Sequence, residues 1–125
     1  MSHRILIVDD EPNIVISLEY LMKKEGFEIA VATDGEAALQ LAAEFRPDLI
    51  LLDVMMPKKS GFEVCESLRA DPALAGVKII MLTAKGRETE VTKGLALGAN
   101  SYITKPFSTK DLIVQIKSLL GSAPD

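Results

Sequence analysis

Leu49-Ile50-Leu51-Leu52 sets four apolar residues in a row without a polar break and then stops on Asp53. A strand with one wet face alternates apolar and polar residues. An unbroken apolar run suits a strand covered on both faces, as in a parallel sheet. Pro57 prevents the strand from continuing. An Asp at the carboxyl end of a central strand stands where open α/β sheets hold their ligands. For an isolated Asp, a loop opening or a helix cap is the simpler account.

The rest of the chain supplies the frame for that strand. Residues 4–8 form a β-branched run and read as strand 1. Pro12 suits the first turn of helix 1, where Ile14, Val15, Leu18, Leu21 and Met22 recur at helical spacing until Gly26. Residues 28–33 read as strand 2, and Asp34 caps helix 2 with Ala38, Leu39, Leu41, Ala42 and Phe45 inward. After Lys58-Lys59-Ser60-Gly61, helix 3 turns Phe62, Cys65 and Leu68 inward and ends near Asp71-Pro72. Residues 77–82 give strand 4, closed by Thr83. Helix 4, about 88–97, is weak because Thr89, Thr92 and Gly94 have poor helix propensity; Gly98 ends it. Residues 101–104 give strand 5, followed by Lys105-Pro106-Phe107. Ser108 and Asp111 open helix 5, with an apolar stripe of Leu112, Ile113, Ile116, Leu119 and Leu120.

Five alternations with right-handed crossovers imply a doubly wound parallel sheet with helices on both faces. No linker or repeat interrupts the chain, so residues 1–125 read as a single domain with a folded core at about 4–120 and a tail at 121–125. With 48% hydrophobic and 26% charged residues, it has the composition of a globular protein. The net charge of −4 argues against a nucleic-acid surface. No apolar run reaches membrane-spanning length, and residues 1–4 lead straight into strand 1 without a signal peptide. A single cysteine, Cys65, fits a reducing cytoplasm and a core position. With His3 the one histidine, Cys/His and Ser/His/Asp catalysis and zinc ligation lack their residues.

The alternation gathers chemistry at one edge of the sheet. Asp9 and Asp10 end strand 1, Asp53 ends strand 3, Thr83 ends strand 4 and Lys105 follows strand 5. Three carboxylates against one ammonium leave a formal charge of −2. Packed carboxylates repel unless a cation intervenes. Mg2+ would neutralise them, and it accepts all-oxygen ligation with retained waters; Ca2+ wants more protein oxygens, and no EF-hand spacing is present. Helix capping accounts for one Asp per helix. It leaves adjacent acids after one buried strand and a Lys after another unexplained.

Val8-Asp9-Asp10-Glu11, Leu52-Asp53-Val54-Met55-Met56-Pro57 with Gly61, Leu82-Thr83-Ala84 and Tyr102-Ile103-Thr104-Lys105-Pro106-Phe107 together resemble the receiver domains of two-component response regulators. The resemblance spans essentially the whole chain. It implies a flavodoxin-like five-stranded sheet of order 2-1-3-4-5, an order the family is known for. It implies that Asp53 is the phosphoacceptor and that Thr83 and Lys105 contact the phosphoryl group. The implied Mg2+ ligands are Asp10, Asp53 and the Met55 backbone carbonyl, with Asp9 acting through a water and Mn2+ as an alternative ion. Thr83 and Tyr102 would form the switch, and Lys105-Pro106 a cis peptide. The function implied is a phosphorylation-dependent signalling switch in the cytoplasm, not a classical enzyme. It would be loaded by a histidine kinase or histidine phosphotransfer protein and read out through a helix 4–strand 5–helix 5 face. The readout goes to a downstream effector or a C-terminal output domain, without direct nucleic-acid or membrane binding. Asn100-Ser101 stand where many relatives carry acids, and Met55 and Lys85 occupy the positions that tune phosphoryl lifetime.

Three rivals are weaker. A haloacid-dehalogenase-type phosphatase needs an acid where Met55 stands. A dinucleotide-binding module needs a glycine-rich turn where Asp9-Asp10-Glu11 would repel a pyrophosphate. A phosphorylation-independent pseudo-receiver usually lacks one of the acids, the Thr or the Lys, and all are present here.

Overall fold

The computed structural model describes residues 3–56, 58–84 and 88–121. Five strands alternate with five helices: β1 (Arg4–Val8), α1 (Pro12–Lys24), β2 (Glu28–Ala32), α2 (Gly35–Phe45), β3 (Leu49–Asp53), α3 (Gly61–Ala70), β4 (Lys78–Ala84), α4 (Glu88–Ala96), β5 (Ser101–Lys105) and α5 (Thr109–Leu120). The sheet is parallel throughout, in the order β2-β1-β3-β4-β5.

The period-two alternation of each strand sorts its side chains between two cores. Leu6, Val8, Ile50, Leu52, Ile79 and Met81 face α2 and α3 through Ala38, Ala42, Val64, Cys65 and Leu68. Ile5, Ile7, Leu49, Leu51, Ile80, Leu82 and Ile103 face α1 and α5 through Leu18, Met22, Leu112 and Ile116. The unbroken run of β3 is thus explained, since all five of its residues are buried. Cys65 is buried in this core and its thiol donates weakly to the Leu97 carbonyl at 3.6 Å.

Two strand ends beside the site differ from the sequence reading. β4 continues through Thr83 to Ala84, because β5 lies alongside and pairs Ala84 with Lys105. Lys105 is therefore the last strand residue and does not stand in a loop. Asp34 caps α2 by accepting from the Ala37 N–H at 2.8 Å. Ser60 and Glu63 form a reciprocal capping box at the start of α3. α4 is the least anchored helix, with Gly94 its single buried residue, set against the Met81 side chain. A Lys93 ammonium over the Phe62 ring at 4.6 Å adds a second tie.

Candidate functional site

The register of the three central strands brings their carboxyl ends level. Val8 pairs with Leu52, and Asp53 with Leu82. Asp9 and Asp10 follow β1, Asp53 closes β3, and Thr83 and Lys105 lie near the ends of β4 and β5. Asp10, Asp53, Thr83 and Lys105 line one crevice together with Glu11, Val54, Met55 and Glu90. One carboxylate oxygen from each of Asp9, Asp10 and Asp53 falls within 4.8 Å of the others. Met55 is 66% exposed and lies at the lining of the crevice.

Lys105 is the organising cation. Its Nζ lies 2.8 Å from Asp9 Oδ2, 3.0 Å from Glu11 Oε1 and 3.4 Å from Asp53 Oδ1. Burial alone would pull its pKa down, but the nearby carboxylates of Asp9, Glu11 and Asp53 outweigh this and raise it, so it stays an ammonium. Asp9 is fully buried, and its Oδ1 accepts from the Glu11 N–H at 2.9 Å. Its Oδ2 has charge contact with Lys105 but no hydrogen bond of adequate angle. Asp53 is 6% exposed, and its pKa is pushed up to about 7. Burial is the main cause, Asp9 and then Asp10 add repulsion, and Lys105 opposes both. Three clustered carboxylates, with Glu11 beside them, share one ammonium, so the site is short of positive charge. A small divalent cation with oxygen preference fits this donor set.

Gly61 keeps the loop after β3 close to the site. Its N–H donates to the Val54 carbonyl at 2.8 Å, and a Cβ built there would collide with the Asp53 carbonyl oxygen and the Val54 Cα. Both obstructing groups are backbone and cannot rotate aside. Gly61→Ala is expected to lower stability by ~2 kcal/mol, the usual scale of overpacking, read from a denaturant midpoint. An unchanged midpoint would show that the loop is free to retreat. Gly35 makes a second close approach, to the Lys59 backbone, and packs the same loop against α2.

Tyr102 lies on the exposed side of β5 at 42% exposure. The Lys105–Pro106 bond is cis. Pro57 and Lys85, named from the sequence, lie outside the described residues, as does the tail beyond Gly121. Glu11 and Glu90 were not singled out by sequence reasoning. Glu11 adjoins the acidic pair and was open to inclusion on that ground. Glu90 meets Thr83 only through the packing of α4 on β4, which no spacing rule gives.

A sequence model of the response regulator receiver domain matches residues 5–117. The chain belongs to this family. It is 46% identical over 120 residues to the alkaline phosphatase synthesis transcriptional regulatory protein PhoP of Bacillus subtilis, covering 96% of this chain and 49% of that protein. It is also 46% identical over 125 residues to the DNA-binding response regulator MtrA of Mycolicibacterium smegmatis, covering 100% of this chain and 54% of that protein. This receiver domain therefore spans about half the length of these two relatives. Among solved structures it resembles the chemotaxis response regulator CheY4 of Vibrio cholerae, with a TM-score of 0.89, 30% identity, and coverage of 95% of this chain and 99% of that one. It also resembles the receiver domain of the sensor histidine kinase PA1611 of Pseudomonas aeruginosa, with a TM-score of 0.89, 29% identity, and coverage of 97% and 99%. That neighbour carries a magnesium ion in its active-site cleft. Among the described residues, no helix of the present receiver is long and apolar enough to cross a membrane.

Proposed function

We propose that Asp53 accepts a phosphoryl group from a phosphohistidine of a kinase or phosphotransfer protein, or from a small acyl phosphate. The observation that carries this reading is the Lys105 ammonium held between the Asp9 and Asp53 carboxylates, 2.8 and 3.4 Å away, in a crevice still short of positive charge. One Asp53 carboxylate oxygen bonds to phosphorus as the bond between phosphorus and the donor imidazole breaks, and the leaving imidazole takes up a proton. Lys105 sits where it can meet charge on the transferring oxygens. Thr83 offers a hydroxyl to the same group once it is attached.

Asp10, Asp53 and the Met55 carbonyl would hold Mg2+, or Mn2+ in its place, with Asp9 acting through a water. The ion supplies charge neutralisation during transfer. Exposed Asp10 is suited to a metal that keeps several waters. The domain is a phosphoacceptor that assists its own loading, and not a classical enzyme. Its output goes to a downstream effector or to an output domain in a longer chain. The two curated relatives, described as transcriptional and DNA-binding regulators, support the second of these.

Incubation with acetyl phosphate and Mg2+, followed by intact-mass measurement, tests the reading. Wild type should gain one phosphoryl group and Asp53→Asn none. A wild type that gains nothing under these conditions would favour a receiver that signals by contact alone.

A further inference from the structure

We infer that Glu90 competes with the incoming phosphoryl group for the Thr83 hydroxyl, so that loading Asp53 sets α4 free. The inference rests on the reading of Asp53 as phosphoacceptor and adds a positioning residue to it. Thr83 Oγ1 donates to Glu90 Oε1 at 3.0 Å, while its other acceptor, the Ala84 carbonyl, stands at 3.5 Å. A hydroxyl has one proton, and an ionised carboxylate can only accept. Thr83 is 2% exposed, so its proton serves either Glu90 or a new acceptor inside the crevice. A phosphoryl group on Asp53 brings several strong acceptors and about two negative charges into the crevice that Glu90 lines. The Glu90 carboxylate would then lose the Thr83 hydroxyl and face like charge across the crevice it lines.

The consequence for α4 follows from how lightly it is held. Gly94 is its single buried residue, and its packing on β4 runs through that glycine and Met81. A helix with so little buried apolar surface shifts or opens at low cost. In the unloaded domain, Glu90 holds Thr83 turned towards α4 and ties the helix to β4. Glu90 thereby sets how much phosphoryl binding is needed to throw the switch.

Beryllofluoride, a phosphoryl mimic, titrated with Mg2+ and followed by amide chemical shifts, tests this on wild type, Glu90→Ala, Glu90→Gln, Thr83→Ala and the Glu90→Ala/Thr83→Ala double variant. Glu90→Ala should saturate at about tenfold lower beryllofluoride, because a charged hydrogen bond no longer has to be broken. Its unliganded α4 amides should already move towards their bound positions. Glu90→Gln keeps an acceptor without the charge and should gain about threefold; it decides the matter if Glu90→Ala does not fold. In the Thr83→Ala background the Glu90→Ala gain should disappear. Equal midpoints for wild type and both Glu90 variants would overturn the inference while leaving the phosphoacceptor reading intact. A gain undiminished without the Thr83 hydroxyl would also overturn it. A wild type without any response to beryllofluoride would overturn both.

Discussion

Asp53→Asn should raise the melting temperature of the metal-free domain near pH 8 by roughly 6 °C and lose that gain near pH 4. The Asp53 carboxyl is pushed up from 3.8 to about 7, first by burial and then by Asp9. The unfolded chain releases this proton near pH 4, whereas the fold retains it until about pH 7. A group raised in this direction contributes stability that is fully present below its unfolded pKa. That contribution is lost as pH rises through the folded value. Above pH 7 the fold must hold an unwelcome anion. The full difference corresponds to ~4 kcal/mol at most, and water penetration into the open crevice reduces it to ~2 kcal/mol. Asparagine keeps the shape and removes the charge. Mg2+ should narrow the gap, because it supplies the wild type with a counter-charge and finds one ligand fewer in the variant. Thermal melts at two pH values, with and without Mg2+, measure all of this. A variant less stable than wild type near pH 8 would refute the charge argument.

Lys105→Ala should act in the opposite sense and cost the metal-free domain ~3 kcal/mol, or roughly 9 °C. The Lys105 side chain is 16% exposed and its partner Asp9 is fully buried. Its removal leaves the Asp9 carboxylate without a counter-charge and Asp53 facing it alone. Removing one member of a buried pair is far more damaging than replacing both. Part of the loss is offset as Asp53 binds a proton and Glu11, on the outer side, turns to water. Millimolar Mg2+ should restore most of the lost stability, since it supplies the missing positive charge to the same carboxylates. Coincident melts of wild type and Lys105→Ala without metal would show that the ion pairs contribute nothing net.

The fold was legible because burial on both faces leaves a strong trace. The apolar runs 5–8, 49–52 and 79–82 read as central strands, and the capping residues Asp34 and Ser108 mark where helices begin. Asp9, Asp10 and Asp53 were legible because each follows such a run, and Lys105 because it follows the short strand-like stretch 101–104. The end of β4 was not, because Thr83 and Ala84 read as a strand terminus until β5 is laid beside them. The hydrogen bond between Thr83 and Glu90 depends on the pose of a lightly packed helix. Glu11 was visible but lacked a partner until Lys105 was seen to reach back to it.

That reach has a consequence for when the site can exist. Lys105 and Glu11 meet across 94 positions of sequence, with every other strand of the sheet between them in chain order. A nascent chain that has emerged only through β4 carries Asp9, Asp10, Glu11 and Asp53 but not the cation they share. Repulsion among those acids then opposes closing the sheet, and no pre-formed pocket awaits a donor. The ammonium arrives with the last strand, which completes the sheet and brings the crevice its cation.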